Sequence, residues 1–487
     1  MLSKNRIIII SLFFYSLIIR VIILIISNPI IDDFFISLRV AKNFISGNGL
    51  VYNTGDKIIS STSNFYTLIC AMFLYVFGDN AINVIRIFLM VVDSINTVLI
   101  FLIVINGLSK IKSQFDNNAN LKISIIAALI YASIPTTISA NIRGLETAIY
   151  IFFIALSFLF LQKDLLDWSF LSSSIAAIIR PDGFILTFIL FITFVIWRKN
   201  IKYSLKGIVL LILYHLLLLI YYKQIVPQSV IAKSYLDIDH IANWVIFLFK
   251  FYLTPKVFLL GVLALLGNFI FLKSKYFYPI AIWGIAYAVI FSTFGYWYPW
   301  YMSPFTVYYA ISISLGLKLL YDRIVIYSES YKKLIYLFYA IPFILLIQSY
   351  YNEIILGKND SKVEISQKMK VSDFINHNSK NSDIISVEAL GMIGYHSINR
   401  KFIDLPGLIS KEVTEIWKAN NIKVQPNFAD TSAARIFIQG IKPDLLCLRE
   451  FEVDALNKTD ILKNYDLNKR LEITNTERLR ANHYLLN

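Results

Sequence analysis

The stretch IIIISLFFYSLIIRVIILIISNPIIDDFFISLRVAKNFISGNG (7–49) decides the architecture. Within Ile7–Ile26 the only charge is Arg20. About 20 helical residues cross a hydrocarbon core of about 30 Å. Lys4 and Arg6 precede the run and place the N-terminus in the cytoplasm. The flank IISNPIIDD offers no small-residue cleavage site, so the segment reads as an uncleaved anchor. The loop beyond Asn28 then lies outside, beginning with Asp32 and Asp33. Asp32 is placed to cap a helix whose Phe34, Leu38, Ala41 and Ile45 share one face and whose Arg39, Lys42 and Ser46 share another. Gly47 and Asn48-Gly49 stop that helix, and LVYN-TGDK-IIS (50–60) reads as a small hairpin.

The rest of the 487-residue chain agrees with a membrane protein. It is 57% hydrophobic and 16% charged, with a mean hydropathy of +0.62, whereas soluble domains carry about 25% charge. The charge is also unevenly spread. Residues 352–487 hold 19 of the 46 basic and 18 of the 32 acidic residues, which leaves 27 basic and 14 acidic in the first 351. A uniformly basic nucleic-acid binder is thereby excluded, since its charge would lie in a solvated patch. Cys70 and Cys447 are too few for a disulfide framework or a cysteine metal motif, and five scattered histidines do not point to a metal.

Further apolar runs lie at 82–106, 123–140, 146–161, 168–179, 184–197, 207–222, 256–272, 277–295, 305–321 and 334–351. With the first they predict about eleven crossings. Alternation then puts Lys110, Lys112 and Lys122, Lys163, Arg198, Lys199, Lys202 and Lys206, Lys273 and Lys275, and Arg323, Lys332 and Lys333 in cytoplasmic loops. Phe65–Phe77 is too short to span and reads as a surface or re-entrant helix. The predicted organisation is a transmembrane domain over 1–351, with a first outer loop at 28–81, and then an extracytoplasmic α/β domain at 352–487. In that tail DIISVEA (383–389), KFIDL (401–405) and PDLLCL (443–448) read as buried strands.

Polar residues at the outer ends of the spans are the candidates for chemistry. Asp32 and Asp33 stand where a carboxylate can take a proton from an acceptor hydroxyl; the bland alternative is a helix cap and a solvated neighbour. Arg143 and Glu146 are three apart and either pair with each other or serve a ligand. Arg180 and Asp182 flank a Pro-Gly break inside an apolar stretch, where polar groups are costly; a local ion pair is the alternative to a functional role. Lys233 is an interfacial lysine or an anion ligand. Tyr298 and Trp300, in YWYPWY (296–301), form an interfacial belt or a stacking surface. His215 reads as a core histidine and His396 as a weak acceptor contact.

DDFFISLRVAKNFISGNGLVYNTG (32–55) resembles the first outer loop of the GT-C superfamily of integral-membrane glycosyltransferases, and within it the arabinofuranosyltransferase-like branch with its DDxxISxRxAxNxxxGxGLVxNxG pattern. RGLETAIY (143–150), RPDG (180–183), YYKQIVPQSVIAKS (221–234) and ISVEALGMIGYHSINRKFIDLPGLIS (385–410) are similar to further segments of that branch, in the same order. Gln228 stands where the branch usually has Asn, and SSTSNFYTL (60–68) replaces a glycine- and tyrosine-rich acceptor region. The resemblance implies an α-helical polytopic fold and inverting transfer of a sugar from a polyprenyl-phosphate donor to a glycan or glycolipid acceptor outside the bacterial inner membrane. It implies Asp32 as the base with Asp33 orienting. Lys233, Arg143 and Arg180 are then cations for the donor phosphate, and Glu146, Arg39, Asp182, Tyr298 and Trp300 are supporting groups. It requires no cofactor, and nothing in the spacing demands a divalent cation. Two other activities remain open from residues alone: a polysaccharide polymerase or ligase, and a transporter or flippase of lipid-linked glycans. A non-catalytic glycan-binding scaffold is the fourth reading.

Overall fold

The computed structural model describes residues 2–111, 117–196, 200–237, 240–253, 257–294, 299–327, 329–425, 427–465, 467–471 and 483–486. Lys112, Arg198, Lys199 and Tyr298 lie outside the described residues. Contacts divide the chain into two units whose segments interleave along the sequence. The first comprises Met1–Pro29, Ile85–Tyr214 and Ile238–Lys358, and the second Ile30–Val84, His215–Asp237 and Asn359–Asn487.

The first unit is helical. Among the described residues, three helical stretches are long and apolar enough to cross a bilayer: Arg6–Ser27, Asn64–Ser109 and Ile201–Tyr222, the last two including residues of the second unit; counting two bent pairs as spans gives five. Shorter apolar helices, among them Thr147–Gln162, Leu166–Ile179 and Gly183–Ile196, fall on other predicted runs. The run at 123–140 is not straight: Asn118–Ser133 and Pro135–Ile142 meet at 54°. Pro135 lacks an N–H and disfavours the helical conformation at the preceding residue, and Ile134 is indeed extended (φ −68°, ψ 126°).

Arg20, the one charge in the first span, is wholly buried and ion-paired with Asp93 at 2.5 Å. It also donates to the carbonyls of Ser16 and Ala132, and Tyr131 donates to Asp93 at 2.7 Å. A lone charge at the bilayer centre costs ~2.5–3.5 kcal/mol on insertion scales; here each charge is matched. The pair joins three helices that also share an apolar cluster of Leu12, Phe101 and Ala128.

The second unit contains a five-stranded sheet of order β2-β1-β3-β5-β4, where β1 is Ile384–Val387, β2 Lys401–Ile403, β3 Leu445–Arg449, β4 Leu467–Leu471 and β5 His483–Leu486. β1 runs parallel to both β2 and β3, with Ile385 opposite Phe402 and Leu445. β5 and β4 complete the sheet antiparallel. The first three strands are the segments read as buried strands from sequence. One face of β1 and β3 packs Ile385, Val387, Leu445 and Cys447 against Val40, Tyr52, Val371 and Ile393. The helices Asp32–Ile45, Gly357–Asn378 and Leu390–His396, with the loop that carries Tyr52, supply those partners.

Three local expectations are corrected here. The helix opens at Asp32 with Ile31 as its N-cap, and no side chain caps it; the Asp32 carboxylate is used elsewhere. The segment 50–60 is a series of turns with no strand. Two of its backbone acceptors are taken by a side chain, Asn43 Nδ2 donating to the carbonyls of Val51 and Tyr52, while the Asn53 side chain exchanges two bonds with the backbone of Phe402. Arg39, which shares with Lys42 the face away from Phe34 and Leu38, is fully buried all the same.

Candidate active site

Asp32 and Asp33 begin the helix Asp32–Ile45, whose first turn favours negative charge. Asp32 Oδ2 accepts the N–H of Gly391 at 2.7 Å, and Oδ1 accepts that of Met392 at 2.9 Å. Lys368 Nζ lies 3.0 Å from Oδ1, with its own side chain only 8% exposed. The two backbones approach so closely that a Cβ on residue 391 would fall 1.8 Å from the Asp32 carbonyl oxygen; glycine is required there. Asp33 is exposed.

Arg39 stitches the same helix to the neighbouring loop. Its Nε donates to Tyr52 O at 2.8 Å, Nη1 to the carbonyls of Gly394 and Ser397, and Nη2 to those of Ile398 and Arg400. The guanidinium also lies over the rings of Tyr52 and Phe402, 4.3 and 4.9 Å from their centroids. Its environment is desolvated, which lowers its pKa, the nearby Tyr52 acting the other way. Arg39 is thus a scaffold residue of the loop rather than a group presented to solvent.

Two further features of the motifs find their reason in this unit. Gln228 is buried and its Nε2 donates to Gly407 O, Ser410 O and Thr414 Oγ1, while its N–H donates to Ile59 O. The helix Gln228–Lys233 therefore binds the first loop and the IDLPGL segment at once; Lys233 sits half-buried on its last turn. In IDLPGL the buried Asp404 accepts the N–H groups of Leu408 and Ile409. Burial pushes its pKa up to about 6 in spite of those bonds. At the carboxyl ends of β1 and β3, Glu388 pairs with Arg449, which also pairs with Glu452 at 3.1 Å. Desolvation lifts the Glu388 pKa to about 7, Arg449 pulling against it.

In the first unit the other two motifs meet. Arg180 Nε is 3.0 Å from Asp182 Oδ1, and Nη1 is 3.4 Å from Glu146 Oε1. Tyr287 donates to Asp182 at 3.0 Å, and the rings of Tyr150 and Tyr301 lie 5.2 and 5.7 Å from the guanidinium carbon. Arg180 is buried and its charge faces two carboxylates, which is the local ion pair of the sequence alternatives. Glu146 pairs with Arg180, and Arg143 Nε donates to Ser139 Oγ. Trp300 is half-buried against Tyr301.

Sequence reasoning missed Lys368 and Arg86. Lys368 lies in a polar helix with no motif around it. Arg86 is buried and donates to Ile142 O at 2.8 Å, Asn28 Oδ1 at 2.6 Å and Pro29 O at 2.6 Å. It therefore fixes the residues just before the Asp-Asp pair and just before Arg143. The only sequence signal was a lone arginine inside an apolar run, which points to buried partners. Among the described residues no three His, Cys, Asp or Glu side chains are grouped to hold a metal ion.

Comparison with known proteins agrees with this architecture. A family model described as a domain of unknown function, DUF8728, matches residues 356–485. The terminal β-(1→2)-arabinofuranosyltransferase of Mycobacterium tuberculosis is 24% identical over 225 residues, which is 42% of this chain and 35% of that protein. The chain thus matches about a third of the curated relative's length. Among solved structures, ArnT from Cupriavidus metallidurans aligns in the apo state with a TM-score of 0.58 at 10% identity, covering 100% of this chain and 98% of that one. ArnT bound to undecaprenyl phosphate aligns at 0.55 and 10% identity, covering 98% and 97%. The Archaeoglobus fulgidus oligosaccharyltransferase aligns at 0.55 and 12% identity, covering 90% of this chain and 69% of that one. The chain has the helical fold of the GT-C membrane glycosyltransferases, as its motifs imply, and is a multi-pass membrane protein.

Proposed function

We propose that this protein transfers a sugar from a polyprenyl-phosphate-linked donor to a cell-envelope glycan or glycolipid on the outer face of the membrane, with inversion. The observation that carries the reading is the Asp32–Asp33 pair, held in a fixed frame by Gly391, Met392 and Lys368, in a chain whose fold is shared with ArnT.

The chemistry needs few groups. The acceptor O–H gives its proton to a carboxylate of the pair as its oxygen bonds to the anomeric carbon. The bond from that carbon to the phosphate oxygen breaks, and its electrons leave with the phosphate. Phosphate departs without protonation by a second carboxylic acid, the group a glycosidase supplies. Cations stabilise the leaving charge. Lys233, in the same unit as the aspartate pair, is assigned that role; Arg180, paired with Glu146 and Asp182, is assigned to holding the 143–146 turn. Mass analysis of envelope glycans with and without the gene tests the reading: one sugar should disappear from a defined position and return on complementation. An unaltered glycan profile overturns it.

A further inference from the structure

We propose that the crevice at the carboxyl ends of β1 and β3 is the acceptor-glycan subsite, where Glu388 accepts sugar hydroxyls, Phe451 covers a sugar face and Arg449 holds the two in place. This rests on the glycosyltransferase reading above and names where its acceptor is held.

β2 and β3 lie parallel to β1 on its two sides, so the strand order reverses at β1. Open parallel sheets bind ligands outside the carboxyl ends of their strands at such a reversal. Glu388 is the residue after β1, and Arg449 is the last of β3. Their ion pair is open to solvent, the Glu388 side chain being 37% exposed. Glu452 is buried and accepts from Arg449 Nη2 at 3.1 Å and from the N–H groups of Arg449 and Phe428 at 2.7 and 3.0 Å. It fixes the guanidinium and leaves Glu388 as the carboxylate at the surface. The Phe451 ring centroid lies 4.5 Å from the guanidinium carbon. Among the described residues after 358, Phe451 is the one large hydrophobic side chain that is exposed. A carboxylate beside an exposed ring suits a sugar, which offers hydroxyl donors around an apolar C–H face.

Two other occupants fit worse. A nucleotide phosphate would need the amides after β1, but those of Gly391 and Met392 are taken by Asp32. A membrane surface favours basic residues around its apolar anchors, and the helix EFEVDAL (450–456) carries three acids and no base. The subsite is also close to the aspartates. Glu388 is three residues from Gly391, a reach of at most about 11 Å, and Gly391 N–H is 2.7 Å from Asp32 Oδ2.

The test uses detergent-solubilised full-length protein and, as probe, fluorescently labelled delipidated envelope polysaccharide from a strain lacking the gene. Undecaprenyl phosphate binding and the thermal midpoint are measured alongside. Transfer is read by mass analysis, with membranes of that strain as donor source and the polysaccharide as varied acceptor. E388Q should weaken probe binding roughly tenfold, as for loss of a charge-assisted bond. F451A should weaken it about fivefold through lost apolar cover, and F451W should restore it. E388Q and F451A should raise the KM for polysaccharide with kcat, lipid binding and midpoint unchanged. Wild-type protein that transfers sugar without binding the probe overturns the subsite and leaves the transferase reading intact. So does unchanged probe binding in either variant, or displacement of the probe by a nucleoside diphosphate. Probe binding that both variants weaken, in a protein whose loss leaves envelope glycans unaltered, keeps the glycan site and removes the transferase reading instead.

Discussion

Replacing Gly391 with alanine attacks the junction on which the candidate site depends. The new Cβ would lie 1.8 Å from the Asp32 carbonyl oxygen, 2.5 Å from its carbonyl carbon and 2.8 Å from its carboxyl carbon. Non-bonded carbon contacts are comfortable at about 3.5 Å, so the two backbones must separate by roughly 1.5 Å. Bonds now at 2.7 and 2.9 Å, and the Lys368 contact at 3.0 Å, then exceed hydrogen-bonding range. Bonds to charged groups contribute about 1.5–3 kcal/mol each and do not add fully. The expected loss is about 3–5 kcal/mol, part of it from the buried ammonium left without its carboxylate. For a unit of 150–250 residues each kcal/mol is worth about 2–4 °C, so the thermal midpoint of the purified protein should fall by roughly 6–20 °C. Sugar transfer should fall with it, even below the midpoint, because Asp33 moves with Asp32. A midpoint within about 2 °C of wild type, with transfer intact, would refute the idea that this contact fixes the loop carrying Asp32 and Asp33.

Arg39→Lys keeps the charge but replaces a planar fork making five backbone bonds with a single ammonium. Thermal unfolding should report a loss of about 2–4 kcal/mol, and an unchanged midpoint would contradict the stitching role. Asp93→Asn leaves Arg20 buried without its counter-charge; about 3–5 kcal/mol should be lost, and Arg20→Met with Asp93→Leu should lose less in the same assay. Asp404 has a pKa raised from 3.8 to about 6 by burial. The fold therefore prefers its protonated form, so its contribution is full below about pH 4 and is lost as pH rises through 6. The difference is about 3 kcal/mol by linkage. Wild-type stability should fall relative to Asp404→Asn between pH 4 and 7, and parallel stability curves would count against this account.

Some features of the site were readable because they rest on local chemistry. The break at Arg180-Pro181-Asp182-Gly183 was legible from proline's missing donor and from the cost of charge among apolar residues, and the structure closes it with an ion pair. The three strands at 384–387, 401–403 and 445–449 were legible from short β-branched and leucine runs bounded by turn residues. The motif segments were recognisable too, but their grouping was not. RGLETAIY meets RPDG through Glu146 and Arg180, while the first loop joins YYKQIVPQSVIAKS and the tail through Gln228 and Asp32.

The misreadings share one cause, which is that sequence patterns report the local period and not the long-range partner. Arg39 and Lys42 look alike on a helical wheel, yet carbonyls more than 350 positions away desolvate one and not the other. Asp32 had the position of a cap, but its oxygens found two amides and a lysine from distant segments. The turns at 50–60 had a hairpin's residues without a partner strand, since Asn43 and Arg39 take the Val51 and Tyr52 carbonyls that a second strand would need. Sequence by itself determined that this chain belongs in a membrane, that an Asp-Asp pair follows its first apolar span and that its tail contains a sheet. Apolar content and short periods are enough for those. Which distant groups hold the Asp32 carboxylate was decided only by tertiary structure, because the deciding contacts, to Lys368 and to Gly391, join residues hundreds of positions apart that no local pattern connects.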